Sequence, residues 1–283
     1  TLSYFHRIDK EDYKTLLRHL ISIDHIQKTE TGGLIVGLAG ERVVNSFKFF
    51  AVFQENEEFT VRWESQELGT IVMPPPVGEK IAIAGHVWIV EEVDRKRHLV
   101  YCDLVKGKVP AYFGLCPGDI NTKILERMRK VLNEDTVYPY LMKNAVARLA
   151  LARKTGNNSG IARDPLIMLG GNMWCLCPWL GTYAFFAMER FLKIKCSSLF
   201  GISAIDSFRP YFLQFKMKAT KEEFFAVLKA EAAKEFDPMD LVYEGEVPTF
   251  EKYDEYVPPE LIRKGFAYGI LDIDGMKKRI LEW

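Results

Sequence analysis

The sequence is poor in the groups that most often do chemistry or anchor a chain. It holds only five Cys and five His in 283 residues. The thiols stand at 102, 116, 175, 177 and 196. That is an odd number and too sparse for a secreted disulfide framework, so reduced thiols in a cytoplasmic protein are expected. Cys175 and Cys177 are two apart and would share one face of a strand. Zinc ligands usually come as a C-x2–4-C knuckle with a second pair, and no second pair is visible. No apolar run approaches the ~20 residues of a membrane span, and no charged-then-apolar leader follows Thr1. The expectation is a soluble chain with no membrane partner, or a piece of a longer one. Net charge is missing too: 38 basic groups meet 38 acidic ones, which excludes a uniform polycation.

Catalytic motifs are also absent. There is no G-x-x-x-x-G-K-[ST] to cradle a nucleoside triphosphate and no G-x-G-x-x-G behind a strand. Neither H-E-x-x-H nor G-x-S-x-G occurs. The His, at 6, 19, 25, 86 and 98, are scattered. No nucleophile, base and orienting group fall at a credible spacing, so the chain is expected to do no covalent chemistry by itself.

What is present is an ordinary globular composition, 48% hydrophobic and 27% charged. The length suits one large domain or two ordinary ones. Charge is unevenly placed. Residues 1–100 carry 12 basic and 15 acidic groups, residues 101–200 carry 14 and 7, and residues 201–283 carry 12 and 16. The middle third is a basic island, which suits a local anionic partner or a solvated helix face.

The periodicity predicts a helix over 10–21, capped by Asp9 with Asp12 three residues on, then a Gly32-Gly33 turn and a strand at Leu34–Val36. Helix, strand, turn, strand is how a winged-helix module ends, and its first helices would need residues before Thr1. Short β-branched or aromatic runs follow at Phe50–Phe53, Phe59–Trp63, Leu68–Met73, Lys80–Ala84, Val87–Val93 and Leu99–Leu104. Their spacing predicts a meander, sandwich or open barrel. From Asp119 the period turns helical. Helices are predicted at Asp119–Leu132, with Ile120, Ile124, Met128 and Leu132 on one stripe, and at Tyr140–Lys154. Gly156–Gly160 is read as a polar loop. Strands at Leu166–Leu169, Trp174–Cys177 and Tyr211–Met217 alternate with helices at Thr182–Leu192 and Lys221–Lys234. Two more helices, Pro258–Tyr268 and Asp272–Leu281, end the sequence. The fold class expected is α+β: an antiparallel open barrel or sandwich, then a mixed half, with a winged-helix remnant at the front.

Four features could touch a partner. Arg95, Lys96 and Arg97 sit at a turn tip between strands and fit phosphate contacts, or simply a soluble hairpin tip. Trp88 on the preceding strand, and more weakly Trp63, could stack on an unpaired base or pack in the core. Arg148, Arg153 and Lys154 lie on the Ala/Leu-rich helix, where they suit a nucleic-acid backbone or the helix dipole. Thr182, after Cys177-Pro178-Trp179-Leu180-Gly181, could cap a helix whose free N–H groups hold a phosphate.

Several segments, taken in order, resemble the C-terminal part of large helicase-related (Lhr) superfamily 2 helicases. They are GGLIVGLAGERVVNSFKFFAVF at 32–53, ELGTI at 67–71, AGHVWIVEEVD at 84–94, INTKILERMRKVL with YLMKNAVARLALAR, PWLGT at 178–182, and KYDEYVPPELIRKGFAYGILDIDG at 252–275. The shared order spans about 250 residues. His86 stands where that family usually has a basic residue. The resemblance implies that residues 1–45 end a winged helix. Residues 46–283 would be the accessory domain that follows, β-rich over 46–115 and mixed over 116–283. The parent would be an ATP- and Mg-dependent 3′ to 5′ translocase. Its two RecA-like motor domains precede this region and are not in the sequence. The implied role is non-catalytic: a clamp on single-stranded DNA or RNA, with Trp88 as a base wedge. A docking module for the motor domains or another protein is the alternative. An enzyme built around Cys175, Cys177 and nearby carboxylates is a remoter one.

Overall fold

A computed structural model describes residues 9–51, 58–72, 74, 77–78, 80–94, 97–106, 119–202, 205–248 and 251–283. The fold is α+β with predominantly antiparallel sheets, as expected, and it divides into two compact units. One runs from Ser46 to Gly118. The other combines the residues up to Asn45 with those from Asp119 onward. The boundaries fall at 45/46 and 118/119.

In the inserted unit, a short helix α3 (Phe47–Phe50) precedes strands β3 (Phe59–Trp63), β4 (Gln66–Ile71), β5 (Lys80–Ile83), β6 (His86–Asp94) and β7 (Leu99–Leu104). The strand expected at Phe50–Phe53 is not seen: Phe50 closes α3, and residues 52–53 lie outside those described. The sheet order is β4-β3-β7-β6-β5. β3 and β7, first and last in sequence, pair in parallel through Thr60–Leu99, Val61–Val100 and Arg62–Tyr101. The β5–β6 hairpin turns through Ala84 and Gly85, both at positive φ (50° and 76°), which matches the twist of the flanking strands. Register shifts at Val61/Arg62 and Val90/Glu92 add bulges that bend the strands, and the sheet curls into a half-barrel. Alternate residues point inward: Phe59 and Val61, Trp88 and Val90, Val100 and Cys102 form the core with Ile81.

The larger unit begins with α1 (Lys10–Ser22), capped by Asp9 and Asp12 in a reciprocal capping box, as the sequence predicts. Strands β1 (Ile26–Lys28) and β2 (Leu34–Val36) form a small hairpin, followed by α2 (Leu38–Val44). Helices α4 (Thr122–Asn133) and α5 (Lys143–Ser159) come next. A four-stranded antiparallel sheet follows, in the order β10-β11-β9-β8. Its strands are β8 (Leu166–Gly170), β9 (Met173–Leu176), β10 (Ile205–Phe208) and β11 (Phe212–Lys216). Helices α6 (Thr182–Arg190), α7 (Ser197–Phe200), α8 (Lys221–Ala232), α9 (Pro259–Gly265) and α10 (Ile273–Glu282) complete the unit. Phe185, Phe191, Phe200, Leu213, Phe215 and Phe224 lie in one buried cluster with residues of α10. No helix among the described residues is long and apolar enough to cross a membrane.

One carboxylate is buried in this unit. Glu189, 2% exposed, accepts from Arg209 Nε (2.8 Å) and Nη2 (3.1 Å), Lys193 Nζ (2.7 Å) and Ser207 Oγ (2.9 Å). Burial pushes its pKa up. Hydrogen bonds and charge from Arg209, then Lys193, outweigh that and bring it down to about 2. Beside it in sequence, Arg190 grips Glu246 through both terminal nitrogens (2.8 and 2.5 Å) and lies over the rings of Tyr243 and Phe266.

Two helical expectations need correction. The stripe of α4 that faces inward contains Leu125, with Leu132 packed beside it, whereas Ile124 and Met128 are exposed. Gly156 through Ser159 form the last turn of α5 rather than a loop, and Gly160, at φ 79°, ends the helix. Gly156 is buried close against Leu132, so its lack of a side chain serves helix packing rather than a break.

Candidate nucleic-acid interface

The α4–α5 pair carries the basic island. From Asp119 to Arg163 there are nine basic and four acidic residues. Their partners divide them. Arg129 Nε donates to Ala162 O (2.9 Å) and its Nη2 to Arg163 O (3.1 Å). Arg153 Nε donates to Val131 O (2.9 Å) and its Nη2 to Thr136 O (3.0 Å). Arg153 therefore satisfies carbonyls at and beyond the C-terminal end of α4, which have no partner within the helix. It is a structural tie, where the sequence suggested a phosphate contact.

Three of the four carboxylates are also committed. Asp119 accepts from Tyr183 Oη, Glu126 pairs with Arg279, and Glu134 accepts from Tyr138 Oη and pairs with Arg127 (3.1 Å). By contrast, Lys123, Lys143, Arg148 and Lys154 are exposed and make no hydrogen bond or ion pair among the described residues, and Lys130, also exposed, acts only through its charge on Glu134. The net positive field of the pair is thus carried by free ammonium and guanidinium groups.

Arg148 and Arg153 do not act together. Five residues on an α-helix rotate by ~140°, so Arg148 lies on the far side of α5 from Arg153. Arg153 and Lys154 border a cleft of about 400 Å³ between α5 and the preceding segment. Val137, Leu141, Val146 and Leu149 line it, with Asp135 and Asn157 at its polar edge.

The α4–α5 connection holds an aromatic pair that the sequence reading missed. Tyr140 was expected in the first turn of the helix, but α5 starts at Lys143. Instead, Leu141 N–H donates to Tyr138 O (3.1 Å), closing a turn with Pro139 at its second position. Within that turn the rings of Tyr138 and Tyr140 stack, with centroids 5.5 Å apart and planes at 18°. Tyr138 is fixed from below: its hydroxyl donates to Glu134 and accepts from Arg127 Nη2 (2.8 Å). Tyr140 is 77% exposed. The Tyr-Pro-Tyr tripeptide was the available signal, since proline disfavours helix in the residue before it and favours a turn.

The other expected contact residues stand elsewhere. Trp88 is 4% exposed, donates through Nε1 to Ile83 O (2.9 Å) and packs on Trp63 with centroids 5.5 Å apart. It is a core residue of the half-barrel, with no open face for a base. Arg97, at the β6–β7 tip, is exposed; its N–H donates to Asp94 Oδ1 (3.0 Å) and its Nε lies 3.8 Å from Asp94 Oδ2. Arg95 and Lys96 lie outside the described residues. Thr182 is not the cap of α6. Gly181 takes that place, and Thr182 Oγ1 accepts from Ile120 N (3.0 Å). The start of α6 is therefore engaged by the segment before α4 rather than open to a phosphate.

Cys175 lies on β9 and Cys177 directly after its end; their sulfurs come within 3.7 Å of each other and both residues are buried. Among the described residues no three His, Cys, Asp or Glu cluster as a metal site would require. Compared with known protein families, curated proteins and solved structures, the chain matches none.

Proposed function

We propose that this chain is a nucleic-acid-contacting accessory module of an ATP-driven helicase of the Lhr kind, clamping single-stranded DNA or RNA beside motor domains. The observation that carries the reading is the division of charge on α4 and α5. Among the described residues four exposed cations, Lys123, Lys143, Arg148 and Lys154, are free, while three of four carboxylates are consumed by internal partners. An asymmetric field of that kind attracts a phosphate backbone and carries little sequence information. The ordered resemblance along the chain supplies the helicase context. Within it, residues 1–45 stand for the end of a winged helix, and ATP and Mg belong to the parent's motors.

The test is fluorescence anisotropy of this chain with labelled single-stranded oligonucleotides across a salt series, with duplex as control. A slope of log affinity on log salt of roughly −3 corresponds to ~4 phosphate contacts on a single strand and supports the clamp. No binding at low salt rejects it.

A second reading is a protein-docking module. Leu34, Ile35, Val36 and Leu38 are all roughly half exposed, an apolar strip uncovered in this chain. Association with separately produced motor domains, insensitive to salt, would favour that reading.

A further inference from the structure

We infer that Tyr140, rather than Trp88, is the base-stacking platform of this surface. The inference rests on the nucleic-acid reading above. A stacking residue needs an aromatic face open to solvent, a rigid mount and a nearby cation for the phosphate that accompanies the base.

Tyr140 meets each requirement. Tyr140 is 77% exposed, more than any other tyrosine among the described residues. One side rests on Tyr138 in a near-parallel stack (18°), leaving the other side to solvent. The mount is rigid because Pro139 fixes the turn and Tyr138 is held by Glu134 and Arg127. A preorganised ring loses little side-chain freedom when a base arrives. Lys143, exposed and three residues on, lies within the ~11 Å that three residues can span. Val137 and Leu141 flank Tyr140 in sequence and line the cleft bordered by Lys154. Lys143 is thus the cation for the phosphate that accompanies a base on Tyr140, and Lys154 borders the adjoining cleft. The occupant is an unpaired nucleobase of a single strand, because a duplex presents no free ring face.

The experiment uses the whole chain and a single-stranded oligonucleotide carrying 2-aminopurine, whose fluorescence is quenched on stacking, with anisotropy read in parallel. Wild type should bind and quench. Tyr140→Ala and Tyr140→Leu should lose about 5- to 150-fold in affinity, the span of base–aromatic stacking, together with the quench and with the salt slope unchanged. Tyr140→Phe should keep both signals. The variants should unfold at the wild-type urea midpoint, because the side chain is exposed.

If wild type binds but Tyr140→Ala or Tyr140→Leu still binds and quenches as wild type does, the platform is overturned and the clamp survives. Loss of the quench in Tyr140→Phe would assign the effect to the hydroxyl and also overturn it. If wild type binds no oligonucleotide at low salt, the clamp itself fails.

Discussion

Thr122 and Thr182 each hold the other's segment. Thr122 Oγ1 accepts the Gly181 N–H at 2.9 Å, and Thr182 Oγ1 accepts the Ile120 N–H at 3.0 Å. The Thr182 N–H closes the set by donating to Ile120 O at 2.9 Å. The starts of α4 and α6 are thereby locked, which is how the basic helix pair is fastened to α6 within the larger unit. Replacing Thr182 by Val keeps the shape and strands the Ile120 donor, for an expected loss of about 1–3 kcal/mol. Gly181→Ala should cost more, because a Cβ there would stand 2.4 Å from Ile120 O. Urea midpoints at constant m-value measure both.

Acid should weaken the larger unit through Glu189. Its pKa falls from 4.5 to about 2 on folding, so its contribution is fully present above pH 4.5 and is lost as pH drops toward 2. The linkage is worth about 3 kcal/mol. Glu189→Gln should lower stability at pH 7, leaving Arg209 and Lys193 without their counter-charge, and should flatten the acid limb between pH 4.5 and 2. Equilibrium unfolding as a function of pH tests this; an unchanged acid limb in the variant would show that another carboxylate governs it.

Arg153 and Lys154 are neighbours with opposite expected phenotypes. Arg153→Met removes two bonds to backbone carbonyls and should cost about 1–3 kcal/mol in stability. Lys154→Ala should leave stability within about 0.5 kcal/mol and reduce the salt slope of oligonucleotide binding by about 1. Unfolding curves and the salt series together separate the two roles.

Trp88→Ala should destabilise the half-barrel by about 3–5 kcal/mol, the usual cost of emptying a core aromatic site. Thermal unfolding followed by calorimetry reads that loss. Trp88→Phe, which keeps most of the packing, should bind an oligonucleotide like wild type. A selective affinity loss in Trp88→Phe would return the stacking role to the indole.

The thiols at 102, 175, 177 and 196 should resist alkylation in the folded chain. All four are buried. Burial, reinforced by Asp103, pushes Cys102 to about 11, and burial, reinforced by Glu231, pushes Cys196 to about 12, so neither offers thiolate at neutral pH. Peptide mapping after iodoacetamide, with and without urea, would show the contrast.

Most of the architecture was legible because its signals are local. Alternation located β3, β5, β6 and β7 within a residue or two, and Asp9 with Asp12 announced the start of α1. What could not be read depends on neighbours distant in sequence. The α4 apolar residues Ile124 and Leu125 are adjacent, so composition could not say which faces the core; packing beside Cys175, Cys177 and Trp179 selects Leu125. Arg153 and Lys154 look alike as letters, yet Arg153 alone of the two bonds the carbonyls of Val131 and Thr136 at and beyond the end of α4. Gly156 resembled a breaker because its partner, Leu132, lies twenty-four residues away. Trp88 drew attention as an aromatic on a β face, and the curl of the sheet turned that face inward. Tyr140 was hidden by the helical pattern that follows it.

The order in which the chain is made acquires a meaning from one ion pair. Lys264 Nζ meets Asp12 Oδ2 at 2.5 Å across 252 residues of sequence. At about 5–20 residues per second, a ribosome needs roughly 10–50 s between the two. Until Lys264 emerges α1 lacks this partner, and the half-barrel encoded between the two is made first. A chaperone that attends this protein during synthesis would therefore be expected to hold α1 until α9 has emerged.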